Sequence, residues 1–256
     1  MLRRPILDRK AFLRPFAHRG LHDAAAGRIE NTGPAFEAAV RCGYGIECDL
    51  RPLAGGTPVV FHDETLERLV DGTGFVSTLA PSDRAHLRYR NTNTPILTFE
   101  GLLSLVAGAV PLLVEIKSEW TPPDPAFLSK ITTLATTYIG PIALMSFDPA
   151  VISTLQTLAP TIPRGLVSGS YRADSGDHWW HDKLTPARAA HLRDLTDFDR
   201  LGCSFAAYEC AALPTPVTQR LRSTGIPLFT WTVRTLAGRA HAATHADAMI
   251  FEGFEP

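Results

Sequence analysis

The hexapeptide GIECDL, residues 45–50, sets two acidic residues two positions apart in an otherwise apolar run. Side chains alternate between the faces of a strand, so Glu47 and Asp49 point one way while Ile46, Cys48 and Leu50 point the other. Two carboxylates about 6 to 7 Å apart, at an effective dielectric near 20, repel by about 2 to 3 kcal/mol. A strand escapes that cost by facing water along a sheet edge or by holding a positive charge between the two acids. The surrounding sequence weighs these readings.

Working outward, short apolar runs recur at residues 16–19, 111–117, 142–147, 164–167, 203–207, 227–233 and 248–251, making eight with 45–50. Helical patterns separate them at 34–41, 98–107, 125–137, 149–158, 186–197, 216–223 and 236–243. Several open with proline, as at Pro34, Pro125, Pro149, Pro186 and Pro216, where its missing N–H costs nothing. Strands alternating with helices predict right-handed crossovers and a parallel sheet. Eight such units predict a closed (β/α)8 TIM-type barrel, with an open doubly wound sheet as the alternative. Residues 62–97 interrupt the rhythm after a hairpin-like GGTPVVFHD, as a polar insertion of the kind that serves as a lid or binding loop.

Length and composition bound the rest. With 256 residues and 45% hydrophobic content, the chain builds one sizeable core, and residues 1–256 are expected to form a single domain. The 25 basic residues nearly balance the 26 acidic ones, for a net charge of -1, so no global field gathers nucleic acid or an anionic membrane. The basic N-terminal stretch contains no apolar run long enough for a secretory signal or a membrane span, so a cytoplasmic protein without stable membrane insertion is expected. Cys42, Cys48, Cys203 and Cys210 show no CxxC pairing and read as free thiols.

In either α/β architecture the carboxyl ends of the strands converge on one rim. The polar residues fall there: His18 and Arg19 in AHRG, Glu47 and Asp49 in ECD, Glu115 and Lys117 in VEIK, Ser146 in SF, and Trp231 in WTV. Glu115 and Lys117 repeat the two-residue spacing, which again puts both on one face.

The succession HRG, ENT, IECD, VVFHD, LVEIK, SFD and WTV resembles the glycerophosphodiester phosphodiesterase family in order and approximate spacing, over nearly the whole chain. AHRGLHD and YGIECDL are similar to its cytoplasmic bacterial members. The resemblance implies a (β/α)8 barrel with a small insertion after the second strand, and hydrolysis of glycerophosphodiesters to glycerol 3-phosphate and an alcohol. It implies Glu47, Asp49 and Glu115 as ligands of one divalent cation, His18 and His62 as general acid and base, and Arg19, Lys117 and Trp231 in substrate binding. The chemistry is consistent: carboxylates alone suit a hard cation, Mg²⁺ or Ca²⁺, and two imidazoles suit proton transfer near neutral pH. The partner is then a small-molecule phosphodiester. A lysophospholipase D-like enzyme acting on lipid diesters and a catalytically silent phosphodiester-binding protein are the alternatives.

Other residues read as follows. Asn31 either orients the first-strand site or caps the next helix, and Glu30 does either. His22, His86, His191, His241 and His245 read as surface or packing residues. The chain departs from the family where Arg234 follows WTV in place of the common Asn, and where FEGF, with Glu252, stands in place of TD-x-P. Arg234 lengthens the anion site or faces solvent. In DHWWHD, residues 177–182, Trp179 and Trp180 cap an apolar substrate or pack as a loop tip or oligomer contact.

Overall fold

A computed structural model of the protein describes residues 4–172 and 180–256. In chain order its elements are α1 (Arg9–Phe12), β1 (Phe16–Ala17), α2 (Gly33–Cys42), β2 (Gly45–Pro52), β3 (Pro58–Val60), α3 (Pro81–Arg84), α4 (Phe99–Val106), β4 (Leu112–Ile116) and α5 (Pro125–Thr137). There follow β5 (Ile142–Ser146), α6 (Pro149–Leu158), β6 (Arg164–Ser168), α7 (Pro186–Arg193), β7 (Phe205–Glu209), α8 (Pro216–Ser223), β8 (Leu228–Val233), α9 (Leu236–His245) and β9 (Ala248–Phe251). The sheet runs β1-β9-β8-β7-β6-β5-β4-β2, and parallel pairing of β1 with β2 closes it into a barrel. β3 lies outside the parallel ring as the antiparallel return of a hairpin from β2.

Alternation along the strands sorts side chains into two cores. Ile46, Cys48, Leu50, Leu112, Val114 and Leu144 point outward and pack under the helices. Phe16, Leu113, Ala143, Met145, Val167, Phe205, Phe229 and Ile250 fill the barrel interior, and Leu7 and Phe12 join them. Two strand glycines make room for this filling: a Cβ on Gly45 would lie 2.6 Å from the Phe16 ring, and one on Gly165 would lie 2.4 Å from that of Phe205. Glu47 and Asp49 share the inward face, 2% and 1% exposed, between β1 and β4. GIECDL is therefore not a solvated edge strand.

Proline stands in the first turn of α2, α5, α6, α7 and α8, as its positions in the sequence predict. Three of the boundaries that differ from the sequence reading have a local cause. β1 stops at Ala17 because Arg19 turns into the left-handed region, at φ 54. α7 stops at Arg193 instead of reaching residue 197: buried Leu195 takes φ 48, and its N–H and that of Thr196 bond back to the carbonyls of Leu192 and His191. β7 begins at Phe205 because the Cys203 N–H closes the preceding turn on the Phe198 carbonyl.

Residues 62–97 contain only short elements, the 3₁₀ turn Val76–Thr78 and α3, held by isolated bridges such as Val70 to Tyr89. Leu66, Val70, Val76, Tyr89 and Ile96 form a separate cluster with Leu53, Val59 and Phe61 of the hairpin. Among the described residues no helix is long and apolar enough to cross a membrane. Cys42 is exposed and the other three cysteines are buried, all of them as free thiols.

Candidate active site

A cavity of about 450 Å³ opens at the carboxyl end of the barrel, lined by His18, Arg19, Glu47, His62, Glu115, Lys117 and Trp231 among others. Asp49 lies beneath it, facing Glu115 across the β2–β4 ladder. One carboxylate oxygen from each of Glu47, Asp49 and Glu115 lies within 4.8 Å of the others. The cations beside them are shared unevenly. Lys117 Nζ sits 2.8 Å from Asp49 and 2.5 Å from Glu115, and Arg19 Nε sits 3.3 Å from Asp49.

Glu47 receives the Arg19 backbone N–H at 3.0 Å, and the nearest titratable cation partner is His18 Nε2 at 4.0 Å. Burial, with Asp49 and Glu115 alongside, pushes the Glu47 carboxyl well above its usual range, and burial also raises Glu115. Burial would raise Asp49 too, but Lys117, His62 and Arg19 outweigh it and hold that carboxyl well below the usual range. The site thus carries three carboxylates against two permanent cations. This surplus fits a divalent cation, and an all-oxygen donor set is what Mg²⁺ or Ca²⁺ selects.

Two residues in left-handed conformations hold the acids in place. At φ 54 Arg19 aims its N–H at Glu47 while its guanidinium donates to Glu30 at 2.6 Å. Asn31, at φ 57, donates from Nδ2 to Asp49 at 2.8 Å and accepts the Asp49 N–H at 3.3 Å. Such backbone costs about 1 kcal/mol or more per residue and persists where the surroundings over-determine it. Asn31 therefore orients Asp49. Thr32, not Asn31, is the N-cap residue of α2.

The histidines have separate supports. His62 Nδ1 lies 2.8 Å from Asp63, whose carboxylate is clamped by Arg68 at 2.5 and 2.9 Å, and Arg68 also reaches Glu30 at 2.7 Å. Against burial, the His62 and Arg68 hydrogen bonds hold the Asp63 carboxyl below the usual range. Burial and then Lys117 pull His62 down to about 4. His18 is lowered by burial even though its Nδ1 is hydrogen-bonded to Glu252. Each Nδ1 faces a carboxylate, so it carries the ring proton and leaves Nε2 as the acceptor. Glu252 accepts also from Arg234 at 2.6 Å and lies 3.4 Å from His22 Nε2. These contacts overcome burial and hold its carboxyl below the usual range.

The sequence profile of the glycerophosphoryl diester phosphodiesterase family matches residues 18–250. The chain belongs to that family. It is 31% identical over 182 residues to "Probable glycerophosphodiester phosphodiesterase 1" of Mycobacterium tuberculosis, an alignment that covers 61% of this chain and 64% of that protein. The chain thus spans somewhat less than two thirds of that relative. A bovine (Bos taurus) glycerophosphodiester phosphodiesterase 1 is 48% identical over 60 residues, 23% of this chain and 17% of its own.

Among solved structures, an Oleispira antarctica phosphodiesterase in complex with the product sn-glycerol-3-phosphate superposes with a TM-score of 0.71 at 18% identity, covering 93% of this chain and 92% of that one. A Thermotoga maritima glycerophosphodiester phosphodiesterase gives 0.69 at 20% identity, covering 93% of each chain. At these identities the likeness establishes the (β/α)8 fold.

All eight site residues named from the sequence meet in or directly under the cavity at the barrel mouth of this family member. One sequence reading is corrected. His22 is not a bystander on the surface, because it shares Glu252 with His18. Arg234 lines the cavity rim with its side chain 61% exposed while its Nε donates to Glu252 at 2.6 Å.

Trp179 lies outside the described residues. Trp180 packs with Leu184, Ala189 and Leu192 and does not line the cavity. Residues that sequence reading passed over include Arg51, which lines the cavity and donates to the His62 carbonyl at 2.6 Å. Its signal was present, since it continues the two-residue spacing of Glu47 and Asp49. Asp63 and Arg68 carried no such periodic mark.

Proposed function

We propose that the protein hydrolyses glycerophosphodiesters, releasing glycerol 3-phosphate and the free alcohol, with one Mg²⁺ or Ca²⁺ held by Glu47, Asp49 and Glu115. The observation that carries this reading is the surplus of buried negative charge among those three acids, set beside two imidazoles in a single cavity. When bound, the cation offsets that charge and polarises a phosphoryl oxygen. Arg19 and Lys117 stand on the same rim to meet charge that develops on the phosphoryl oxygens in the transition state.

His18, with Nδ1 committed to Glu252, offers Nε2 as the base that takes a proton from the attacking hydroxyl. His62, aimed by Asp63, returns a proton to the departing alkoxide. Burial lowers the affinity of His62 for a proton, and the arriving diester anion raises it toward what a proton donor must hold. Trp231 stands edge-on to Phe147 and has a buried indole N–H with no acceptor among the described residues, which suits it to donate to a substrate oxygen.

Trp180 packs with Leu184, Ala189 and Leu192 and so does not supply the apolar cap that the lipid-diester reading draws on. The retention of both histidines in the cavity weighs against a silent binding protein.

The test is a panel of glycerophosphocholine, glycerophosphoethanolamine and lysophosphatidylcholine, assayed for glycerol 3-phosphate and choline with MgCl₂, with CaCl₂ and with EDTA. Glycerol 3-phosphate from the first two substrates, abolished by EDTA, is expected. Turnover of the lysolipid alone, or none under any divalent ion, would overturn the proposal.

A further inference from the structure

We propose a second, softer metal site at the edge of the first, formed by His18, His22 and Glu252, which takes a borderline transition-metal ion such as Zn²⁺ and silences the enzyme. The inhibitory half of this inference rests on the role proposed above for His18; the binding half does not.

Ring nitrogens of His18 and His22 both converge on a single oxygen, Oε2 of Glu252. One ligand atom from each of the three residues lies within 4.8 Å of the others. A tetrahedral ion held at about 2.1 Å requires donors about 3.4 Å apart. The His22 to Glu252 separation is already 3.4 Å, and the closer His18 to Glu252 contact has to open. The three side chains are 13%, 23% and 18% exposed, which leaves a face for the ion and for a water as fourth ligand. Arg234 occupies Oε1 of Glu252 and fixes the carboxylate with Oε2 turned toward the imidazoles.

Two imidazoles and one carboxylate form a borderline donor set that favours Zn²⁺ or Co²⁺, whereas three carboxylates favour Mg²⁺ or Ca²⁺. The two sets are neighbours, with His18 Nε2 4.0 Å from Glu47 Oε2, yet they sort cations by hardness.

Occupancy would act on catalysis through the His18 ring. A metal bond at Nδ1 replaces the hydrogen bond to Glu252, and the ring proton passes to Nε2, so the imidazole stays neutral and no proton is released. His18 then presents an N–H, not a lone pair, to the attacking hydroxyl and cannot act as its base. His22 does not line the catalytic cavity, and its removal leaves Glu252 hydrogen-bonded to both His18 and Arg234.

The experiment adds CoCl₂ to wild type and to His22→Ala under saturating MgCl₂, which fills the carboxylate site, and reads the visible d–d absorption. Zn²⁺ inhibition of diester turnover is followed in the same two proteins. Wild type is expected to develop the intense bands of low-coordinate Co²⁺, and Zn²⁺ is expected to inhibit. In His22→Ala the bands should be lost and the inhibition constant should rise about tenfold or more, with basal turnover unchanged. A His22→Gln variant with wild-type melting temperature guards against a folding artefact.

Absent bands in wild type, or bands and inhibition identical in the variants, would overturn the site. Bands that depend on His22 without any inhibition would uphold the site and refute the role of His18. Because the absorption needs no turnover, failure of the proposed activity leaves the binding result readable.

Discussion

His18 and His62 face one cavity with different supports, and that difference is testable. The acid is needed only where the departing oxygen is strongly basic, and its loss then costs about 10² to 10⁴ in rate. His62→Ala should therefore lose far more activity on glycerophosphocholine than on a nitrophenyl diester that keeps the glycerol group. His18→Ala should damage both alike. Equal losses in both variants, read from kcat on the two substrates, would refute the division of labour.

Asn31 supports a second residue-scale prediction. Asn31→Leu removes the Nδ2 donor from Asp49, so Mg²⁺ affinity measured by calorimetry should fall about 10-fold or more, as expected when a group that orients a ligand is lost. Undiminished affinity would show that Asn31 serves packing alone. At this scale the sequence was most readable where two-residue spacing marks a face, as for Glu47, Asp49, Glu115 and Lys117. It was unreadable where a partner arrives across the fold. Nothing near His22 announces Glu252, 230 positions away, and the link from Arg68 to Glu30 spans 38 positions.

Among the elements, β2 was legible because buried inward acids and outward apolar residues alternate along it without a break. The ends of elements were not, because a left-handed residue such as Arg19 or Leu195 stops a strand or helix for reasons of tertiary packing that propensity does not encode. The segment after the hairpin was recognised as an insertion, but its core was not. Since it covers Leu53, Val59 and Phe61, shortening residues 64–96 to a tight turn should lower the melting temperature as well as raise KM for diesters. Arg68 would be lost with it, removing the clamp on Asp63. Unchanged KM on several diesters would show that the segment plays no part in binding.

At the scale of the whole molecule, the parallel ring collects one end of each strand at a single mouth, so residues as distant as His18 and Trp231 line the same cavity. The recurrence of eight strands with helices between them pointed to that barrel with an open doubly wound sheet as the alternative; the pairing of β1 with β2 decides for the barrel, and register puts Glu115 opposite Asp49. The surplus charge at the mouth has a global consequence. A cation that binds only the folded chain stabilises it by about 2.7 kcal/mol at 100 times its Kd, which raises Tm by about 5 to 10 °C in a chain of this size. A thermal melt with MgCl₂ or CaCl₂ against EDTA should show that rise, and coincident melts would count against a resident ion. The central claim, that three buried carboxylates hold that ion, is tested most directly by titration calorimetry of Mg²⁺ and Ca²⁺ into wild type, Glu47→Gln, Asp49→Asn and Glu115→Gln. One-site binding by wild type to at least one of these ions, lost in each folded variant, is the predicted result; affinity undiminished in all three variants would contradict it.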